Sequence, residues 1–162
     1  MKGTTRYALA ALLAGLTFSV QSPSALAQEL RFVGTWVLDP AQSKAPLMPS
    51  SSTVVISELG GGKFKSVSDT AAGGQQVHSE LTFAVDGKDY ALQTNPAPPA
   101  GTVITQSFAQ VSATSYETTL KLRGQEVARS VQELGPDGKT MKITSTASTN
   151  ASMSTMLVYN HR

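Results

Sequence analysis

The chain has 162 residues, with 13 Lys+Arg against 11 Asp+Glu, 2 His and no Cys. The absence of Cys excludes disulfides, thiolate metal ligands and a cysteine nucleophile. The length suits one hydrophobic core. The first element is an export leader over residues 1–27. Lys2 and Arg6 make a short basic start, Tyr7 to Val20 is an almost unbroken apolar run, and Ala25-Leu26-Ala27 is a small-x-small cleavage pattern. The mature chain is therefore expected to begin near Gln28. The alternative reading is an N-terminal core helix. The apolar run falls short of the about 20 residues a bilayer span needs, so no stable membrane insertion is expected. Lys2 and Arg6 are two of the thirteen basic residues, which leaves eleven against eleven in the mature chain. A formally neutral chain carries no electrostatic footprint for nucleic acid. These features together point to a periplasmic or secreted bacterial protein held by its core alone.

From Gln28 onward the hydrophobic period is two. Phe32, Gly34, Trp36 and Leu38 share one face of a first strand that Asp39-Pro40 ends. Ala41 to Ser52, with Pro46 and Pro49, is the longest connection, suited to a short helix or lid across one end of a barrel. Further strands are predicted at Thr53–Glu58, Phe64–Asp69, Gln75–Val85 and Lys88–Gln93, separated by Gly60-Gly61-Gly62, Gly73-Gly74 and a short hairpin at Asp86-Gly87. After the Pro-rich loop 95–99 come Thr102–Val111, Ser115–Leu122, Gln125–Leu134, Lys139–Ser148 and Met153–His161. Roughly eight to ten short antiparallel strands joined by tight turns build a meander. Left open, it would present two unpaired edges, so an up-and-down barrel is preferred to a sandwich. The domain is thus expected to be all-β, one barrel over residues 28–162.

Few residues could do chemistry. His78 and His161 stand in no hydrolase or metalloprotease pattern, and two His without thiols make a poor zinc site. Met141, Met153 and Met156 offer thioethers suited to Cu(I), yet also serve as unbranched core filler. The chain is read as a non-enzyme with no cofactor and no metal. Binding remains, since a barrel of this size can be filled by side chains or can hold one small ligand. Gln106 between Ile104 and Phe108, Tyr116 and Thr118 before Leu120, Arg129 between Val127 and Val131, and Tyr159 after Leu157 all fall on faces assigned inward. An inward Arg129 would need a carboxylate, of the protein or of a ligand. A slip of one residue turns it outward. Candidate ligand-binding residues are Arg129, Tyr116, Tyr159, Gln106 and Phe108, and the candidate ligand is small and hydrophobic or carboxylate-bearing. The competing reading is a filled barrel acting as an envelope structural or protein-interaction module, using loops 40–52 and 94–101.

The run Gly34-Thr35-Trp36-x-Leu38-Asp39-x-x-x-Ser43-Lys44, with Asp86-Gly87-Lys88-Asp89-Tyr90 and Pro136-Asp137-Gly138-Lys139-Thr140-Met141, resembles a group of small secreted bacterial lipocalin-like proteins. Asp39 stands where that group usually has Asn, and Ala91 where it often has Pro. The resemblance implies a barrel and an envelope location. Gly-x-Trp is also similar to the opening of lipocalins and fatty-acid-binding proteins. There the first-strand Trp plugs one barrel end beneath a basic side chain of the last strand. That resemblance implies a pair of Trp36 with Arg162, or with His161 in its place. Fatty-acid-binding proteins also use interior Arg and Tyr near the C-terminus to hold a carboxylate, which is the role the resemblance implies for Arg129 and Tyr159.

Overall fold

The computed structural model describes residues 31–162, so the expected leader and its cleavage point lie outside the described residues. The strands are β1 Gly34–Leu38, β2 Ser51–Gly60, β3 Lys63–Ala72, β4 Gln75–Ala84, β5 Tyr90–Ala91 and β6 Gln93–Asn95. They are followed by β7 Ile104–Ser112, β8 Ser115–Leu122, β9 Gln125–Leu134, β10 Thr140–Ala147 and β11 Asn150–His161. All pairings are antiparallel; most run between sequence neighbours, but β4 pairs with β6, β5 with β7, and β1 also with β11, Trp36 lying opposite His161 and Leu38 opposite Tyr159. The first strand therefore meets the last and the sheet curls into a barrel.

Turn chemistry sets the register. Ala72 pairs with Gln75 across Gly73-Gly74, whose φ values of 58° and 78° suit a two-residue turn matching strand twist. Arg123-Gly124 does the same between Leu122 and Gln125, with Arg123 the one non-glycine at positive φ among the described residues. At the β9–β10 turn Asp137 accepts the Lys139 amide at 2.9 Å, and Gly135 N–H donates to the Thr140 carbonyl at 2.8 Å.

Three expectations are corrected. The Ala41 to Ser52 connection forms no helix. It makes turns and one bridge between Lys44 and Met156, because Ser43 and Asp39 take the local bonds: Ser43 Oγ donates to the Asp39 carbonyl at 2.7 Å and accepts the Val158 amide at 2.9 Å. Asp86-Gly87 is not a tight hairpin. Asp86 accepts from the Lys88 amide and the Tyr90 hydroxyl, both at 3.0 Å, while Gly87 N–H donates to the Phe108 carbonyl at 2.8 Å. The strand expected at Lys88–Gln93 is in consequence two short pieces. β5 pairs with β7 and β6 pairs with β4, so residues 90–95 bridge the two strands on either side and nearly close the cylinder. That division raises the strand count to eleven, above the expected eight to ten.

The core fills one end. Phe32, Trp36, Phe64, Phe83, Tyr116 and Met141 are the largest fully buried side chains. Phe32 and Tyr116 meet edge to face at 4.8 Å, and Phe83 stacks on Phe108 at 4.0 Å. Buried aromatic area of this kind dominates the stability of a small core. The opposite end, near the turns at 73–74, 123–124 and 148–149, carries small side chains. There Pro46 and Leu47 lie beside Ala128, Ala147 and Thr155.

Candidate functional site

The barrel interior between these ends holds a cavity of about 180 Å³. Its apolar wall comprises Val54 and Ile56 of β2, Leu81 and Phe83 of β4, Leu92, Phe108 of β7, and Met141 and Ile143 of β10. Its polar groups are Ser66 and Ser68 of β3, Ser79 of β4, Gln106 of β7 and Gln132 of β9. None of the lining residues is charged. Strand alternation explains the mixture, since Phe64, Ser66 and Ser68 share the inward face of β3 while Lys65 and Asp69 face out.

The candidate residues divide. Gln106 and Phe108 line the cavity. Tyr159 is buried, and its hydroxyl donates to Ser52 Oγ at 3.2 Å, which in turn bonds Thr70 Oγ1 at 2.8 Å. Burial pushes its phenol above the usual tyrosine range, partly offset by the Ser52 bond. Tyr116 is also buried, with its ring edge on Phe32 and a hydroxyl that has no hydrogen-bond partner. Burial raises its pKa as well, with nearby Arg31 opposing. Neither Tyr reaches the cavity lining.

Arg129 is the main correction. It points out of the barrel, its side chain 52% exposed, with Nη1 on Glu117 at 3.2 Å and Nη2 on Glu126 at 3.1 Å. The inward face of β9 is Ala128, Ser130, Gln132 and Leu134. Ser130 Oγ meets Ser145 Oγ of β10 at 2.7 Å, and Gln132 lines the cavity. Counting apolar residues favoured the Val127-Arg129-Val131 face because a wall beside a cavity needs no bulky side chains. With Arg129 outside, a carboxylate ligand loses its expected anchor.

The barrel-end pair is corrected in its second member. Trp36 is fully buried and its Nε1 donates to the Phe32 carbonyl at 2.8 Å. Its ring is met edge-on by His161, with centroids 4.8 Å apart and planes at 81°. Arg162 is one residue beyond the position opposite Trp36 and exposed, and its backbone amide donates to the Thr35 carbonyl at 2.9 Å. Gly34 belongs to this group: its φ is +138°, and a Cβ there would collide with the His161 ring.

On the outer face His78 bonds Asp69 at 2.7 Å and Glu80 at 3.3 Å, and Lys65 pairs with Glu80 at 2.8 Å. The Asp69 bond, then Glu80, raises the His78 pKa. This is a solvated charge cluster, separate from the cavity. Among the described residues no group of three or more His, Cys, Asp or Glu is placed to hold a metal ion. Met141 is core, Met156 bridges to Lys44 through its backbone, and the Met153 side chain lies outside the described residues.

No protein-family model matches the chain, and no curated protein matches it in sequence. Solved structures match its architecture. The fluorescent protein UnaG aligns with a TM-score of 0.57 at 14% identity, covering 82% of this chain and 98% of its own. Fatty-acid-binding protein 1 of Echinococcus granulosus aligns at 0.56 and 13% identity, covering 81% of this chain and 97% of its own. A Schistosoma mansoni fatty-acid-binding protein, solved in complex with arachidonic acid, aligns at 0.55 and 16% identity, covering 82% and 97%.

The barrel has the fold of the fatty-acid-binding proteins. At these identities the likeness establishes the fold alone. The signals for the polar lining that sequence reading missed were Ser66 and Ser68 at alternate positions after Phe64, and Gln132 two residues before Leu134. Small polar residues on an inward face leave room for an interior space.

Proposed function

We propose that this chain is an exported, non-catalytic barrel that holds a small hydrophobic or amphiphilic molecule in its interior. The observation that carries the reading is the cavity itself: about 180 Å³, apolar on most sides, with a few convergent polar groups. A cavity of about 150 Å³ lined by apolar side chains takes up benzene, so this space suits a molecule of that size class. The structural neighbours support a ligand-holding barrel, as two are fatty-acid-binding proteins by name and one holds arachidonic acid. The leader pattern at residues 1–27 and the resemblance to secreted lipocalin-like proteins support a periplasmic or secreted location, with maturation near Gln28.

A second reading is a filled barrel acting through its loops, and one observation favours it. The cavity is smaller than the about 300–1,000 Å³ of drug-sized ligand sites. Native mass spectrometry of the protein prepared from its own source separates the two. The binding reading expects a mass adduct of a few hundred daltons or less that is lost on organic extraction. A bare mass from every preparation, with no small molecule recovered by extraction, refutes it.

A further inference from the structure

We infer that the cavity selects an apolar molecule carrying an uncharged hydrogen-bonding head, an amide or an alcohol, over the carboxylate of the same body. The inference rests on the ligand-binding reading above and adds the chemistry of the head group.

Two sets of interior polar groups bear on the cavity. In the first, hydroxyls satisfy one another: Ser52 with Thr70, Tyr159 with Ser52, and Ser130 with Ser145. In the second, the side chains of Ser66, Ser68, Ser79, Gln106 and Gln132 face the cavity and make no hydrogen bond within the described protein. Ser68 and Ser79 lie directly opposite each other on β3 and β4, and the two carboxamides come from β7 and β9. Hydroxyls and carboxamides both donate and accept, so this set can satisfy both the donors and the acceptors of an amide or an alcohol.

A carboxylate finds no counter-charge there. No lining residue is charged, and four cations of the wall strands pair outside: Lys65 with Glu80 at 2.8 Å, Lys121 with Asp89 at 2.8 Å, Lys142 with Glu133 at 2.7 Å, and Arg129 with Glu117 and Glu126. Burying an ionised carboxylate without a paired charge is far more costly than burying a neutral polar head with partners. Ordered water can satisfy the same serines and glutamines, and a ligand that displaces it gains only if its head reproduces those bonds. A hydrocarbon does not. An amide or alcohol does.

The test compares benzamide, benzyl alcohol, benzoate and toluene by ¹H–¹⁵N and methyl NMR titration of the intact mature domain at neutral pH. Benzamide and benzyl alcohol are expected to bind at least about ten-fold tighter than benzoate and to shift the side-chain amide signals of Gln106 and Gln132. They are also expected to outbind toluene. In Gln106→Leu/Gln132→Leu the advantage of benzamide over toluene should shrink to within about two-fold. Benzoate binding as tightly as benzamide to the unmodified protein overturns the inference, as does toluene binding equally well; neither outcome touches the binding reading. If none of the four perturbs the Met141 methyl signal, the ligand-binding reading itself fails and the head-group inference goes with it. The ranking on the unmodified protein stands whether or not the double variant folds.

Discussion

Gly34 is where closure of the barrel can be weighed. Its φ of +138° is a conformation that L side chains rarely adopt, and a methyl group there would overlap the His161 ring at Nε2 and lie 3.0 Å from Cδ2. That ring in turn meets Trp36 edge-on at 4.8 Å. Gly34→Ala therefore has two costs. Backbone strain at a residue in such a region is about 1–3 kcal/mol. Displacing His161 from the indole forfeits an edge-to-face contact of about 0.5–1.5 kcal/mol. The variant should lose about 2–4 kcal/mol in urea unfolding with an unchanged m-value. His161→Ala removes the ring beforehand, so in that background Gly34→Ala should cost only the strain, and the double-mutant cycle should return a coupling of about 0.5–1.5 kcal/mol. A cost below about 0.5 kcal/mol for Gly34→Ala, or an identical cost in both backgrounds, would refute the packing of the last strand over the first.

The two buried tyrosines should respond in opposite directions. Tyr116→Phe removes a hydroxyl that has no partner and should stabilise by about 1 kcal/mol, whereas Tyr159→Phe breaks the bond to Ser52 and should cost about 0.5–1.5 kcal/mol; paired urea curves decide, and a loss in Tyr116→Phe contradicts the assignment. Arg129→Ala should change stability by no more than about 1 kcal/mol, since its ion pairs are exposed, and should leave ligand affinity unchanged; a marked loss of binding would return Arg129 to the interior. For His78 the sign is fixed by its raised pKa: the stabilisation from protonation is fully present below the unfolded-state value and fades as pH rises through the folded one. NMR titration should place the His78 midpoint above the ordinary histidine value and bring it down in Asp69→Asn; a midpoint indifferent to that change removes Asp69 as the cause.

Much of the barrel was legible because its turns are chemically explicit. Gly73-Gly74 and Arg123-Gly124 fixed their hairpins, and the Phe32-Gly34-Trp36-Leu38 alternation marked the strand that closes the sheet. The errors share one origin, which is that a residue's partner lies across the sheet and not beside it in sequence. Trp36 is opposite His161, so the ring on the indole is His161, and Arg162 one position on lies past the end of β11 and is exposed. Asp86-Gly87 has hairpin composition, but the following strand pairs β7 with one half and β4 with the other. On β9 the inward residues Ala128, Ser130 and Gln132 are small or polar, Ser130 bonding Ser145 and Gln132 lining the cavity, so hydrophobic counting chose the wrong face. The cavity was hard to read for the same reason: an interior space is recorded as what is missing from a face.

The central claim, that the barrel interior is where a ligand sits, can be tested without knowing the natural ligand. Isotope-filtered NOE spectra of the labelled domain with excess benzamide measure which protons it touches. Cross-peaks to the Met141 methyl, the Phe108 ring and Ile143 are predicted, and their loss in Ser68→Leu, which fills the space from β3, would follow from the same geometry. Cross-peaks confined to outward-facing residues such as Val33, Val55 or Val111, or unaffected by Ser68→Leu, would contradict it.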